Sequence, residues 1–229
     1  MKQKIFKTFI LILIMLIVNL FGNSSEISIK QTKSIYQTQS EQLLSKINNI
    51  RNSMHEELIN EVNNYISLYA PTSRLKAEYL VDVCYKYELD IKFVLAQALL
   101  ESHFGTRGIA AKTNSVWNIG TYDNGIILFT YKNPNESIEP YAILLTEKYL
   151  IDKELLALAQ DKGFKNINGK RFASHNKYEE KLRKIIIQID METSINLYQS
   201  VINLSDKEII AYFLPDEDKI NYLQLYALN

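Results

Sequence analysis

Between Phe93 and Gly105 the sequence Phe-Val-Leu-Ala-Gln-Ala-Leu-Leu-Glu-Ser-His-Phe-Gly carries a single carboxylate, Glu101. The residues before it are apolar on almost every face of a helix, the composition of a helix buried at the centre of a domain. Glu101 falls where that helix surfaces, and Gly105 permits a left-handed stop just beyond it. Apolar walls and the negative end of the helix dipole both disfavour the charged carboxylate there. Both raise its pKa, the property of a general acid that hands a proton to a leaving group near neutral pH. The competing reading is a solvated glutamate at a helix end, since structural carboxylates are common.

The elements that must position Glu101 are legible on either side. Asp90 can cap the central helix. Ahead of it, Ala70-Pro71-Thr72-Ser73 is a break followed by a helix with Leu75, Tyr79, Leu80, Val83, Cys84 and Tyr87 on one side. After it, Ile126 to Tyr131 is β-prone, and Asp123-Asn124-Gly125 supplies hairpin turn chemistry, which predicts a small hairpin within residues 117–131. Asn133-Pro134-Asn135 makes a turn, and Ser137 can cap a helix whose inner side is Ile138, Tyr141, Leu144, Leu145 and Tyr149, with Pro140 in its first turn. A further helix is expected over 154–159, stopping near Gly163, and a tight turn at Asn168-Gly169. Tyr178, Leu182, Ile185, Ile186 and Ile189 predict the last helix of the core. The tail, residues 191–229, has apolar clusters but no assignable role.

The N-terminal part reads as an address and a tether. Lys2, Lys4 and Lys7 precede an apolar run from Phe9 to Val18, and small polar residues follow up to Ser25. That order is the order of a secretory signal, and the run is short for a transmembrane helix, which needs about 20 apolar residues. Without a clean Ala-x-Ala site, membrane anchoring through residues 1–22 is the alternative. Residues 26–42 are polar and read as a flexible, partly helical tether. Leu43, Ile47, Ile50, Met54, Leu58, Val62 and Ile66 then recur at helical intervals.

Composition narrows the class. A chain of 229 residues suits one domain plus extensions, and only 7 Gly and 4 Pro favour helices over a turn-rich β fold. Basic and acidic residues balance at 26 each, so nothing points to nucleic acid. One cysteine, Cys84, excludes an internal disulfide and shares a helix face with core residues. His55, His103 and His175 lack metal-ligand spacing, and no phosphate loop or nucleophile elbow is present, so no metal and no cofactor are expected.

Taken together, Ala96 to Thr106, Thr113-Asn114-Ser115-Val116-Trp117-Asn118-Ile119-Gly120, Asn135 to Tyr141, and Gly169-Lys170-Arg171-Phe172-Ala173-Ser174 with Tyr178 just after form an ordered set. The set resembles the bacterial and phage N-acetylglucosaminidases that cut peptidoglycan, the mannosyl-glycoprotein endo-beta-N-acetylglucosaminidase-like family. The resemblance runs from about Ala70 to about Ile189, over half the chain. It implies a mainly α, lysozyme-like helical domain with a small β-hairpin lobe, over 70–190; the residues themselves place a signal or anchor (1–25) and a tether and amphipathic helical region (26–69) ahead of it.

The resemblance also assigns roles. Glycoside cleavage needs a proton for the leaving oxygen and something to stabilise or trap an oxocarbenium-like centre. Glu101 matches the family's acid. Relatives often carry a second acid in the β-lobe, where Asp123 is the one available, though it serves equally as the turn residue beside Asn124-Gly125. Glu136 is explained by the helix start it occupies. Tyr178 matches a family tyrosine that can orient sugar or water, and it also fits as an inner-face aromatic. Phe172 stands where relatives have Tyr. Trp117, Asn118 and Tyr122 are groove candidates, because aromatics stack on sugar faces and amides bond N-acetyl groups. A buried core Trp117 is the alternative. The expected protein is an exported hydrolase of peptidoglycan glycan strands, acting in the periplasm, cell envelope or extracellular space. A lytic transglycosylase competes with that reading, although the Gly-Leu-Met-Gln segment of many transglycosylases is absent. So does a wall-binding or virion-structural protein that keeps the groove without the activity.

Overall fold

The central helix begins where the sequence says it should. In a computed structural model that describes residues 2–121, 125–149, 168–169 and 177–227, the Asp90 carboxylate accepts the backbone N–H groups of Lys92 and Phe93 at 2.8 and 3.2 Å. These are two of the donors that a helix start leaves unpaired. Side chains are described from residue 35 onward, residues 36, 221 and 223–227 excepted.

The helices, in chain order, are α1 (Lys2–Tyr69), α2 (Ala77–Lys86), α3 (Ile91–Ser102), α4 (Ala110–Thr113), α5 (Ile138–Leu144), α6 (Tyr178–Glu192), α7 (Ile195–Ile202), α8 (Asp206–Phe213) and α9 (Asp216–Ala227). A 3-10 turn, Pro134–Ser137, leads into α5, and a π-helical turn, Leu145–Tyr149, follows it. The molecule is mainly helical, as expected. The polar stretch read as a tether lies within α1. The helix expected over 154–159 lies outside the described residues, while Gly169 adopts the positive φ of 73° that its turn requires.

Two compact units are present, residues 1–51 with 204–229, and residues 52–203. In the larger unit α3 is surrounded. Every residue from Ile91 to Leu99 is buried, and α3 packs chiefly against α6, while α2 packs on α3 and α5. Leu58, Val62 and Ile66 of α1 join this core, as do Cys84, Trp117, Tyr141, Leu182, Ile189 and Ile195. Burial holds the Cys84 thiol far above its ordinary pKa, so it is a packing group and no nucleophile. Lys92, at the start of α3, pairs with Asp190, near the end of α6, at 2.8 Å. The two helices therefore run antiparallel, which brings the last turn of α3 to the first residue of α6.

In the smaller unit Leu43 and Ile47 bury against Ile209, Ile210 and Leu214. Ser205 and Glu208 close a capping box at the start of α8, and Lys46 and Arg51 of α1 pair with Asp218 and Asp206 at 2.7 and 2.8 Å. The unassigned tail thus begins in the larger core, where α7 contributes Ile195, and ends as two helices of the smaller one.

The turn of the expected β-hairpin, at Asp123-Asn124, lies outside the described residues. Among the described residues no strand forms: Thr121 and Ile127 make one antiparallel bridge, and Leu128 N–H donates to the Gly120 carbonyl at 2.8 Å. Ile126, Ile127, Leu128 and Phe129 are all exposed. The β-prone run therefore buries no apolar face, and a two-stranded pairing without one is marginal in water.

Candidate active site

The end of α3 is built to hold Glu101 in place. The helix stops at Ser102, earlier than Gly105 would have it: His103 adopts the left-handed conformation at φ 48° and Phe104 follows at φ 54°. Phe104 N–H reaches back six residues to the Ala98 carbonyl at 3.0 Å, closing the helix end, and the Phe104 ring is fully buried. Burying that ring offsets the left-handed conformation at a residue with a Cβ, which by itself costs about 1–2 kcal/mol. Gly105, at φ 79°, completes the turn, and a Cβ there would stand 3.3 Å from Val116 Cγ2. Ser102 ties the turn to the following loop. Its hydroxyl donates to the Val116 carbonyl at 2.6 Å and accepts Gly105 N–H at 2.8 Å. Val116 N–H in turn donates to the Ser137 hydroxyl at 3.3 Å. The cap that the sequence predicts from Ser137 does not form: its hydroxyl bonds the Pro134 carbonyl and Val116 instead.

Glu101 is partly buried, and two neutral donors face it. Asn118 Nδ2 donates to Glu101 Oε2 at 3.0 Å and to the Glu101 backbone carbonyl at 3.1 Å. The Tyr178 hydroxyl also hydrogen-bonds the carboxylate. Burial raises the Glu101 pKa above its ordinary value, and the two hydrogen bonds lower it, with burial prevailing. Behind this pair, Gln97 Nε2 donates to the Tyr178 oxygen at 3.0 Å, and Tyr141 hydrogen-bonds Gln97 Oε1. Both tyrosines are buried and their pKa values lie well above the ordinary one, so they stay neutral. The arrangement presents a carboxyl group whose proton is held more tightly than that of an ordinary carboxylic acid, flanked by an amide and a phenol.

The glucosaminidase family, described as mannosyl-glycoprotein endo-beta-N-acetylglucosaminidase, matches residues 77–191, half of the chain. The chain belongs to this family. It is a glycoside hydrolase acting on peptidoglycan. No curated protein matches it.

The end of α3 brings together three of the residues expected from sequence: Glu101, Asn118 and Tyr178. Asn118 does so through a left-handed backbone at φ 53°, which asparagine tolerates better than most residues. Its amide holds the acid itself, a contact not anticipated for a group expected to bond an N-acetyl substituent. Trp117 is not a groove residue. It is 1 % exposed, its ring stacks on Tyr141 with centroids 4.3 Å apart, and its N–H donates to the Val94 carbonyl at 3.1 Å. A ring closed on both faces offers no platform to a sugar. Tyr122 and Asp123 lie outside the described residues, as does Phe172. Glu136 is bound to its own turn, accepting from Lys132 N–H and Asn133 Nδ2 at 3.1 Å each, which is the local role its position suggests. Among the described residues no three His, Cys, Asp or Glu side chains are grouped to hold a metal ion. Sequence reasoning passes over Gln97. The available signal is that it is the only polar residue between Lys92 and Glu101, four positions before the acid and so on its face of the helix.

Proposed function

We propose that this glucosaminidase cuts the glycan strand of peptidoglycan after N-acetylglucosamine, with Glu101 as the general acid that protonates the leaving oxygen. One arrangement supports the reading: the carboxyl sits at the end of a buried helix, where burial raises its pKa, and the partners that orient it, Asn118 and Tyr178, bring no charge of their own. The trap for the developing cation is either the acetamido group of the cleaved sugar, with retention, or a water held near Tyr178 or Asp123, with inversion. Both routes leave a reducing N-acetylglucosamine end.

The protein acts outside the cytoplasm in this reading. Lys2, Lys4, Lys7 and the run Phe9 to Val18 support export or an N-terminal anchor. Among the residues with described side chains no helix is long and apolar enough to cross a membrane. N-terminal sequencing of protein from its own cell tests export: a start between Gly22 and Glu26 is expected, and an intact Met1 on soluble cytosolic protein overturns it.

Digestion of purified sacculi, borohydride reduction and mass spectrometry test the chemistry. Reduced N-acetylglucosamine ends are expected. Anhydro-N-acetylmuramic ends, lighter by one water, would instead mark a lytic transglycosylase. No fragments from several wall types would leave a wall-binding protein.

A further inference from the structure

We propose that Gln97 is a positioning residue for the reaction: it fixes the Tyr178 hydroxyl so that its one proton points at Glu101. The inference rests on the assignment of Glu101 as the acid. Gln97 is fully buried, and its two amide atoms are divided between two phenols, Oε1 bonding the Tyr141 hydroxyl and Nε2 the Tyr178 oxygen. A phenol hydroxyl gives one proton and accepts through its oxygen. Tyr141 bonds an atom that can only accept, so its proton is committed to Gln97. Gln97 then donates to Tyr178, whose oxygen is occupied as an acceptor and whose proton serves the carboxylate. The direction of all three bonds is thereby fixed from Tyr141 to Glu101. Were the Gln97 amide turned over, Tyr178 would have to donate backward to Oε1 and its proton would be lost to the acid.

The relay is also mechanically anchored. The Tyr141 ring lies flat on Trp117, with 12° between the planes, and Trp117 is held by Val94 of the same helix that carries Gln97 and Glu101. Rotating the amide therefore means breaking two buried bonds in a close-packed environment, where unsatisfied polar groups are costly. This explains why a polar residue occupies the interior of a helix that is otherwise apolar from Phe93 to Leu100.

A directed phenol proton stabilises the charged carboxylate, so losing it should push the pKa of Glu101 further up. Among the described residues the titratable groups that interact with Glu101 are Tyr178 from α6 and Tyr141 from α5, both neutral across the working range. Two variants keep the shape while breaking the relay: Gln97→Met removes the amide, and Tyr141→Phe removes the phenol that orients it but leaves the ring on Trp117.

The experiment is a carbon-13 NMR titration of the Glu101 side-chain carboxyl in wild type, Gln97→Met, Tyr141→Phe and Tyr178→Phe, with pH profiles of turnover on sacculi alongside. All three variants are expected to move the Glu101 titration to higher pH, and Gln97→Met added to Tyr178→Phe should move it no further than Tyr178→Phe alone. The alkaline limb of kcat should shift with it. Variants that melt earlier but titrate as wild type would overturn the proposal and leave Gln97 a structural residue. Should Gln97→Met fail to fold, an unmoved titration in Tyr141→Phe overturns it equally. A moved titration with no change in the kcat profile would count against Glu101 as the acid, and so against the parent assignment.

Discussion

Ser102 and Val116 are joined by a hydrogen bond of 2.6 Å between the serine hydroxyl and the valine carbonyl, and this bond couples the end of α3 to the loop that carries Asn118. The same hydroxyl receives Gly105 N–H, so one buried side chain serves both sides of the turn that follows the acid. The geometry of Glu101 and Asn118 is thus set by backbone that Ser102 holds, and the Glu-Ser pair acts as one device.

Ser102→Ala should accordingly damage stability and activity together. The change strands a buried carbonyl, worth about 1–3 kcal/mol when left unsatisfied, and removes the acceptor of a part-buried N–H that water can reach. Urea unfolding should show a loss of about that size. Turnover should fall too, because Asn118 follows Val116 in the same loop, while an alanine at the half-buried Thr146, whose hydroxyl bonds the Ala142 and Ile143 carbonyls of its own turn, should change neither much. Full activity in a folded Ser102→Ala protein would separate the turn from the site.

Two glycines of the lobe offer a paired measurement. Gly120 and Gly125 both have positive φ, 71° and 82°, so alanine carries about 1–2 kcal/mol of left-handed strain at either. A Cβ at Gly120 would stand 2.2 Å from the Phe129 ring, whereas at Gly125 it meets nothing within 4 Å. Gly120→Ala should therefore displace the Phe129 ring and lose more stability than Gly125→Ala, measured by chemical unfolding. Equal losses would show that the exposed ring swings aside freely.

Much of this site is legible in the amino-acid sequence, and the reasons are local. The position of α3, its Asp90 cap and the emergence of Glu101 follow from an apolar run bounded by one capping residue and one carboxylate. Cys84 and the inner face of α1 follow from helical spacing. Gln97 escapes because its meaning depends on Tyr141 and Tyr178, 44 and 81 residues away. Trp117 is ambiguous for a similar reason: whether an aromatic in a loop faces solvent or core depends on what the chain folds over it, here Tyr141. The early stop at His103 is hidden because glycine marks the usual left-handed position, while here a buried Phe104 fixes the turn two residues sooner.

The central helix should be intolerant of truncation. Leu95 is fully buried among the α3 contacts, and Leu95→Ala opens a cavity at a site with little room to collapse. A loss of about 2–5 kcal/mol is expected from calorimetry or urea unfolding. A loss under about 1 kcal/mol would mean that the core relaxes into the space, contrary to its close packing.

Glu101 should make the protein less stable than it could be, and the sign follows from its titration. In the folded chain its pKa is raised by burial, while in the unfolded chain it returns to about 4.3. Between those two values the folded protein holds the proton and the unfolded one has released it, so stability falls as pH rises through the window and is level above it. The cost is therefore fully present above the raised folded value and absent below the ordinary carboxylate range. Glu101→Gln keeps an acceptor for Asn118 and removes the charge, so it should melt higher than wild type at neutral pH, with the difference shrinking as pH drops toward about 4. Its turnover should fall by about 10²–10⁴, the contribution of a general acid. Melting curves across this range, with dye release from labelled sacculi, read both effects. A Gln variant that melts lower at neutral pH would mean that the bonds from Asn118 and Tyr178 outweigh burial, and one that turns over like wild type would remove Glu101 from the chemistry.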